Sequence, residues 1–162
     1  EKIDAGIRKY GIYEHPEHGK IFAYETDGLG HYNLMDDANI PSLLAAPWYG
    51  YCAADDEIYQ NTRRFILSKD NPYYCCGNEA DGVGSPHTPE GFVWPIAIAV
   101  RGLTALEQTE KKEMLHMLLR ITAGTGYMHE GVDVNDPENY TRPWFAWANS
   151  MFCLLMAECP MQ

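Results

Sequence analysis

The segment Met128-His129-Glu130-Gly131-Val132-Asp133-Val134-Asn135-Asp136 places a histidine, a glutamate and two aspartates within eight residues. Such a group can bind a metal ion or move protons. A His-Glu-x-x-His zinc site would need histidine where Asp133 stands, and it would need a helix where this stretch reads as loop. A calcium loop needs acidic residues at alternate positions, a sixth-position glycine and a closing glutamate, and the segment does not follow that order. Two readings remain: a carboxylate acting as general base, or a solvated acidic loop. Just beyond lies Thr141-Arg142-Pro143-Trp144-Phe145-Ala146-Trp147-Ala148-Asn149-Ser150. Arg142 can pair with one of the loop carboxylates and hold another free. Trp144 and Trp147 share one side of a helix and read as core rather than cleft.

Two earlier segments hold further polar groups. Met35-Asp36-Asp37-Ala38-Asn39 stands just before Pro41, where an acidic or amide side chain would cap a short helix running to Ala46. Three polar residues exceed what one cap requires, which leaves at least one for a ligand. Gly82-Val83-Gly84-Ser85-Pro86-His87-Thr88-Pro89 is a loop whose glycines and prolines set backbone shape. His87 there is either a hydrogen-bonded structural residue or a donor to hydroxyl groups. The sequence contains no phosphate-binding glycine loop, no dinucleotide fingerprint and no nucleophile elbow, so nucleotide and serine-hydrolase chemistry have no support.

The composition narrows the ligand. The 162 residues carry a formal charge of -11, which repels phosphate backbones and anionic lipid, so neither nucleic acid nor a membrane surface suits as partner. Neutral, hydroxyl-rich ligands remain. Hydrophobic residues at 46% and charged residues at 22% are those of an ordinary globular domain, read here as one domain over 1–162. Five cysteines, two of them adjacent and none in a C-x-x-C pair, suit the reduced thiols of a cytoplasmic protein. The chain opens on Glu1 without a methionine, so a targeting signal upstream stays open.

The elements that must position these groups read as mostly helical. Ile3, Ile7 and Tyr10 share one face of a first helix stopped by Gly11. Lys20 to Asn33 reads as a small hairpin with Asp27-Gly28 at its turn. Asp55 or Asp56 caps a helix to Ser68, a long polar loop spans Lys69 to Phe92, and Trp94 to Leu106 is an apolar helix. An amphipathic helix follows from Thr109 to about Gly124, then a polar loop from Tyr127 to Arg142. A last helix, apolar all round and therefore buried, runs from Pro143 to about Glu158. The pattern predicts an all-α array of about six helices in hairpins, with one minor β-hairpin.

Taken together, Leu34-Met35-Asp36-Asp37-Ala38-Asn39-Ile40-Pro41-Ser42-Leu43-Leu44, Gly84-Ser85-Pro86-His87-Thr88, Met128-His129-Glu130 and Trp144-Phe145-Ala146-Trp147-Ala148-Asn149-Ser150 resemble glycoside hydrolase family 125 in residues, order and spacing. The resemblance covers nearly the whole chain. It implies part of an (α/α)6 barrel and an exo-acting α-1,6-mannosidase that inverts configuration, acting on mannose-containing oligosaccharides without metal or other cofactor. Inverting chemistry uses two carboxyl groups roughly 6.5–9.5 Å apart. The resemblance implies Glu130 as the base, with Asp133 and Arg142 beside it. Asp36, Asp37, Asn39, His87, His129, Arg142 and Trp144 become the substrate-binding candidates. It also implies an acid in an Arg-Pro-Ser-Asp-Asp-like segment, and no such segment occurs in this sequence. The chain is thus expected to be the C-terminal half of the catalytic domain, inactive alone, and to self-associate through the apolar face left by absent helices. A non-catalytic mannose-binding or assembly module derived from such an enzyme is the alternative.

Overall fold

The computed structural model describes residues 1–159. The described chain begins with helix α1 (Lys2–Tyr10), stopped at Gly11. Two small antiparallel pairs follow: β1 (Ile12–His15) with β2 (Gly19–Phe22), then β3 (Glu25–Thr26) with β4 (Tyr32–Asn33). After a run of turns comes α2 (Glu57–Ile66), and then a third pair, β5 (Tyr74–Cys76) with β6 (Asp81–Val83). Strand β7 (Phe92–Val93) leads directly into α3 (Pro95–Leu103), which is followed by α4 (Gln108–Arg120). Strands β8 (Gly131–Asp133) and β9 (Tyr140–Thr141) join β7 in the order β7-β8-β9, and α5 (Ala146–Glu158) completes the series.

Five helices and nine strands in four antiparallel sheets overturn the expectation of an all-α array forming part of an (α/α)6 barrel. The physical reason is strand length. Strands of two to four residues are too short to show alternation of apolar and polar side chains, so the polar segments 69–92 and 127–142 read as loops. Both contain strands. The expected helix from Pro41 to Ala46 is a series of turns instead, in which the Leu43 and Leu44 N–H groups donate to the Asp36 carboxylate.

Local chemistry explains the helices. Asp56 caps α2 by accepting the Tyr59 N–H at 3.0 Å. Pro95 occupies the first turn of α3, where its missing N–H has no intrahelical role. Apart from Arg101, every α3 residue is buried, and the helix packs against both α4 and α5. Gly102 allows the close approach to α5: a side chain there would lie 2.8 Å from a Leu155 methyl. Above this apolar layer, Arg101 Nη1 meets Asp81 at 2.8 Å and its Nε meets Glu110 at 3.0 Å, while Arg63 Nη2 reaches the same Glu110 oxygen at 3.0 Å. These pairs fasten α2, α3, α4 and the β5–β6 hairpin to one another.

One packing expectation reverses. Helix α5 is not buried all round: Trp147, Leu154 and Met156 are exposed on its outer face, and only Ala148, Met151 and Leu155 are buried among its residues. A continuous apolar sequence signals contact with something apolar but cannot say which face the described chain covers.

Candidate functional site

The register of the three-stranded sheet builds the site. Gly131 pairs with Thr141 and Val132 with Tyr140, so Glu130 and Arg142 are the next opposed positions beyond the ladder. The Glu130 N–H donates to the Thr141 carbonyl at 3.2 Å, and the Gly131 N–H donates to Thr141 Oγ1 at 3.1 Å. Arg142 Nε then lies 3.3 Å from Glu130 Oε1. The glutamate side chain is 12% exposed and the arginine 66%, so the carboxylate is withdrawn from bulk water while its cation reaches into it. Arg142 has φ of 43°, the left-handed region that a non-glycine residue enters at a cost of about 1–2 kcal/mol.

The segment ahead of Glu130 is held as firmly. Asn149 of α5 accepts the Met128 N–H at 3.1 Å and donates to the Met128 carbonyl at 3.0 Å. His129 is fully buried, stacked on Tyr140, and both its ring nitrogens face backbone carbonyls. It therefore has no face for a ligand, unlike its sequence reading as a substrate contact. Trp94, at the junction of β7 and α3, donates from its indole to Thr88 Oγ1 at 2.9 Å. Gly131 sits so close that an added side-chain carbon would lie 3.0 Å from the Thr88 methyl and 3.3 Å from the Trp94 indole nitrogen.

The other sequence candidates connect to this centre in different ways. The Ala38 N–H donates to the Gly84 carbonyl at 3.0 Å, which sets the 36–39 segment beside the 84–88 loop. Asp36 is buried, with both carboxylate oxygens accepting backbone N–H groups at 2.9 Å, and burial pushes it up to about 7. Its lone pairs shape the loop, so it fits a structural task better than hydroxyl binding. Asp37 accepts the Asn39 N–H at 2.9 Å, and Asn39 itself is half-buried. His87 is exposed, its ring centroid 6.5 Å from that of Trp94. Trp144 is 60% exposed and lies outside α5, not in the core.

The segments are thus neighbours, and hollows border two of them: one lies along the 84–88 loop and another, of about 560 Å³, beside Trp144 and Asn149. A cleft of about 590 Å³ is lined by Tyr73, Tyr74, Ser85, Glu90, Phe92 and Asn135, and an apolar groove of about 490 Å³ by Ile3, Ile7, Phe22, Leu43 and Tyr51. Glu130 lines none of these. Glu17, His18 and Asp70 are grouped closely enough for a cation, but the 2.8 Å contact of His18 with Asp70 satisfies that pair by itself. Sequence reasoning missed Thr141, Asn149 and Tyr140, which hold the Glu130 segment. Of these only Asn149 carried a signal, an amide in an otherwise apolar helix.

Residues 1–157 match the family model of the metal-independent alpha-mannosidases, glycoside hydrolase family 125. The chain belongs to this family. Among its relatives, the meiotically up-regulated gene 157 protein of Schizosaccharomyces pombe is 48% identical over 158 residues, which are 97% of this chain and 31% of that protein. A Streptococcus pneumoniae metal-independent α-mannosidase, solved as a non-productive substrate complex with α-1,6-mannobiose, superposes with a TM-score of 0.95 at 50% identity. That match covers 98% of this chain and 37% of the pneumococcal chain. The family 125 chain described here therefore spans about a third of the length of these relatives. None of its described helices is long and apolar enough to cross a membrane.

Proposed function

We propose that this chain forms part of an exo-acting, inverting α-1,6-mannosidase in which Glu130 is the general base. The observation that carries the reading is the Glu130–Arg142 pair: a withdrawn carboxylate engaged through one oxygen by a guanidinium, within family-matched residues. In an inverting reaction such a carboxylate takes a proton from water as the water attacks the anomeric carbon opposite the departing oxygen. A second carboxyl protonates that oxygen. The chain has no Arg-Pro-Ser-Asp-Asp-like segment to supply it, so turnover is proposed for the full-length protein and not for these residues alone. The pneumococcal relative's complex with α-1,6-mannobiose supports a mannoside substrate.

Asp37, Asn39, His87 and Trp144 are the proposed substrate contacts, since the first three lie on the two adjoined segments and Trp144 is open to solvent near Arg142. The five unpaired thiols favour a reducing compartment such as the cytoplasm.

The test is hydrolysis of α-1,6-mannobiose by the full-length gene product, with the anomer of the released mannose followed by NMR. β-Mannose as the first product supports the reading, and α-mannose contradicts inversion. Glu130→Gln should lower kcat by at least about 100-fold. Binding of mannobiose without turnover by the unaltered full-length protein would favour a non-catalytic mannose-binding module instead.

A further inference from the structure

His129 has no access to ligand, yet every part of its ring is engaged. Nδ1 lies 2.8 Å from the Pro143 carbonyl oxygen and Nε2 lies 3.2 Å from that of Thr122. The ring lies flat on Tyr140, with centroids 3.8 Å apart and planes 5° from parallel. A polar ring buried this completely is unfavourable unless its nitrogens find partners. An apolar side chain could fill the space without that requirement, so the polarity of His129 serves the backbone it touches. The shorter contact places the ring proton on Nδ1, which donates to Pro143.

What His129 touches is the far side of the Glu130 pair. Pro143 directly follows Arg142, whose left-handed backbone at φ of 43° turns its side chain toward Glu130. Tyr140 directly precedes Thr141, which receives the Glu130 and Gly131 N–H groups. The residue preceding Glu130 thus grips the chain on both sides of the arginine that Glu130 faces. We propose that His129 is a positioning residue that holds Arg142 against Glu130 and makes no contact with substrate. This rests on the reading of Glu130 as the base.

The test uses the full-length protein acting on α-1,6-mannobiose, with thermal melting as a folding control. His129→Phe keeps the ring stack and removes the hydrogen bond from Nδ1 to the Pro143 carbonyl. It should lower kcat by about 10- to 100-fold through misplacement of the base, with KM changed less than about 2-fold because substrate contacts are untouched. His129→Asn, whose amide nitrogen can replace Nδ1, should recover most of that loss. His129→Gln, whose amide replaces Nε2 and not Nδ1, should recover less. In an Arg142→Ala background, His129→Phe should lower kcat less than about 3-fold further, because a residue acting through Arg142 has little left to lose.

A well-folded His129→Phe protein with unaltered kcat overturns the proposal. So does a rise in KM that accounts for the lost efficiency, or a full additional loss in the Arg142→Ala background. If His129→Phe does not fold, the two amide variants decide: Asn more active than Gln supports the role, and equal activity overturns it. Persistent turnover by Glu130→Gln removes the base reading and the proposal together, whereas an inactive Glu130→Gln beside an unaffected His129→Phe removes the proposal alone.

Discussion

Asp36 and Arg142 show two ways in which a charged side chain shapes the proposed site without acting on bonds. Asp36 is buried and its carboxyl is pushed up to about 7 by desolvation, against which the Leu44 and Leu43 N–H groups work in the opposite direction. The folded chain therefore holds this proton over a range where the unfolded chain has released it. Stability from Asp36 is fully present below about pH 4 and declines as pH rises toward about 7, by at most about 1.4 kcal/mol per pH unit. Denaturant melts of the parent and Asp36→Asn proteins from pH 4 to 8 check this. The difference between them should narrow or reverse with rising pH, and a constant difference would count against the burial argument. At Arg142 the expectation separates activity from stability. Arg142→Gly leaves the withdrawn Glu130 carboxylate without its cation but relieves a left-handed backbone, opposing effects that leave unfolding free energy within about 2 kcal/mol of the parent. Turnover by the full-length protein should nevertheless fall at least about 10-fold, as kinetics beside a denaturant melt would show.

At the scale of elements, the site depends on how short strands and loops are pinned. Gly84 joins the 36–39 segment to the 84–88 loop, and a side chain there would overlap the Phe92 backbone carbonyl. Gly84→Ala should destabilise the chain by about 1–3 kcal/mol, because a backbone atom cannot swing aside as a flexible side chain can. Helix α2 offers a milder test. Asp56→Ala removes the cap on Tyr59 N–H and should cost about 1 kcal/mol in a denaturant titration, with no change in the steepness of the transition. The two results differ in kind: one breaks the junction of two functional segments, the other loosens the end of one helix.

For the molecule as a whole, a net charge of -11 and the apolar outer face of α5 oppose each other. Trp147, 59% exposed, stands there with Leu154 and Met156, and Trp144 lies just ahead of the helix. We expect the 162-residue chain by itself to self-associate through this face, more strongly as salt screens its negative charge. Sedimentation in low and high salt should give masses above 18.4 kDa, and Trp147→Glu with Leu154→Glu should return the monomer. A monomer under all conditions would show that the face is tolerated in water.

Helices were legible where the signal was local. The Asp56 cap, Pro95 at the start of α3 and the apolar spacing of α1 and α4 lie within a few residues of what they specify. The family was legible as well, because its long motifs are properties of residue order. The small sheets were not, since strands of two or three residues leave no period to read. Nor could spacing show that Glu130 and Arg142 face each other across a strand pair, that His129 turns inward, or that both oxygens of Asp36 are taken by its own loop. Sequence by itself determined which chemical groups are present and where the longer helices run, though not the turns at 41–46 that read as a helix, because those helices follow from neighbours along the chain. Tertiary structure alone decided which groups meet and which keep access to solvent, because pairing and burial are settled by packing between segments distant in sequence.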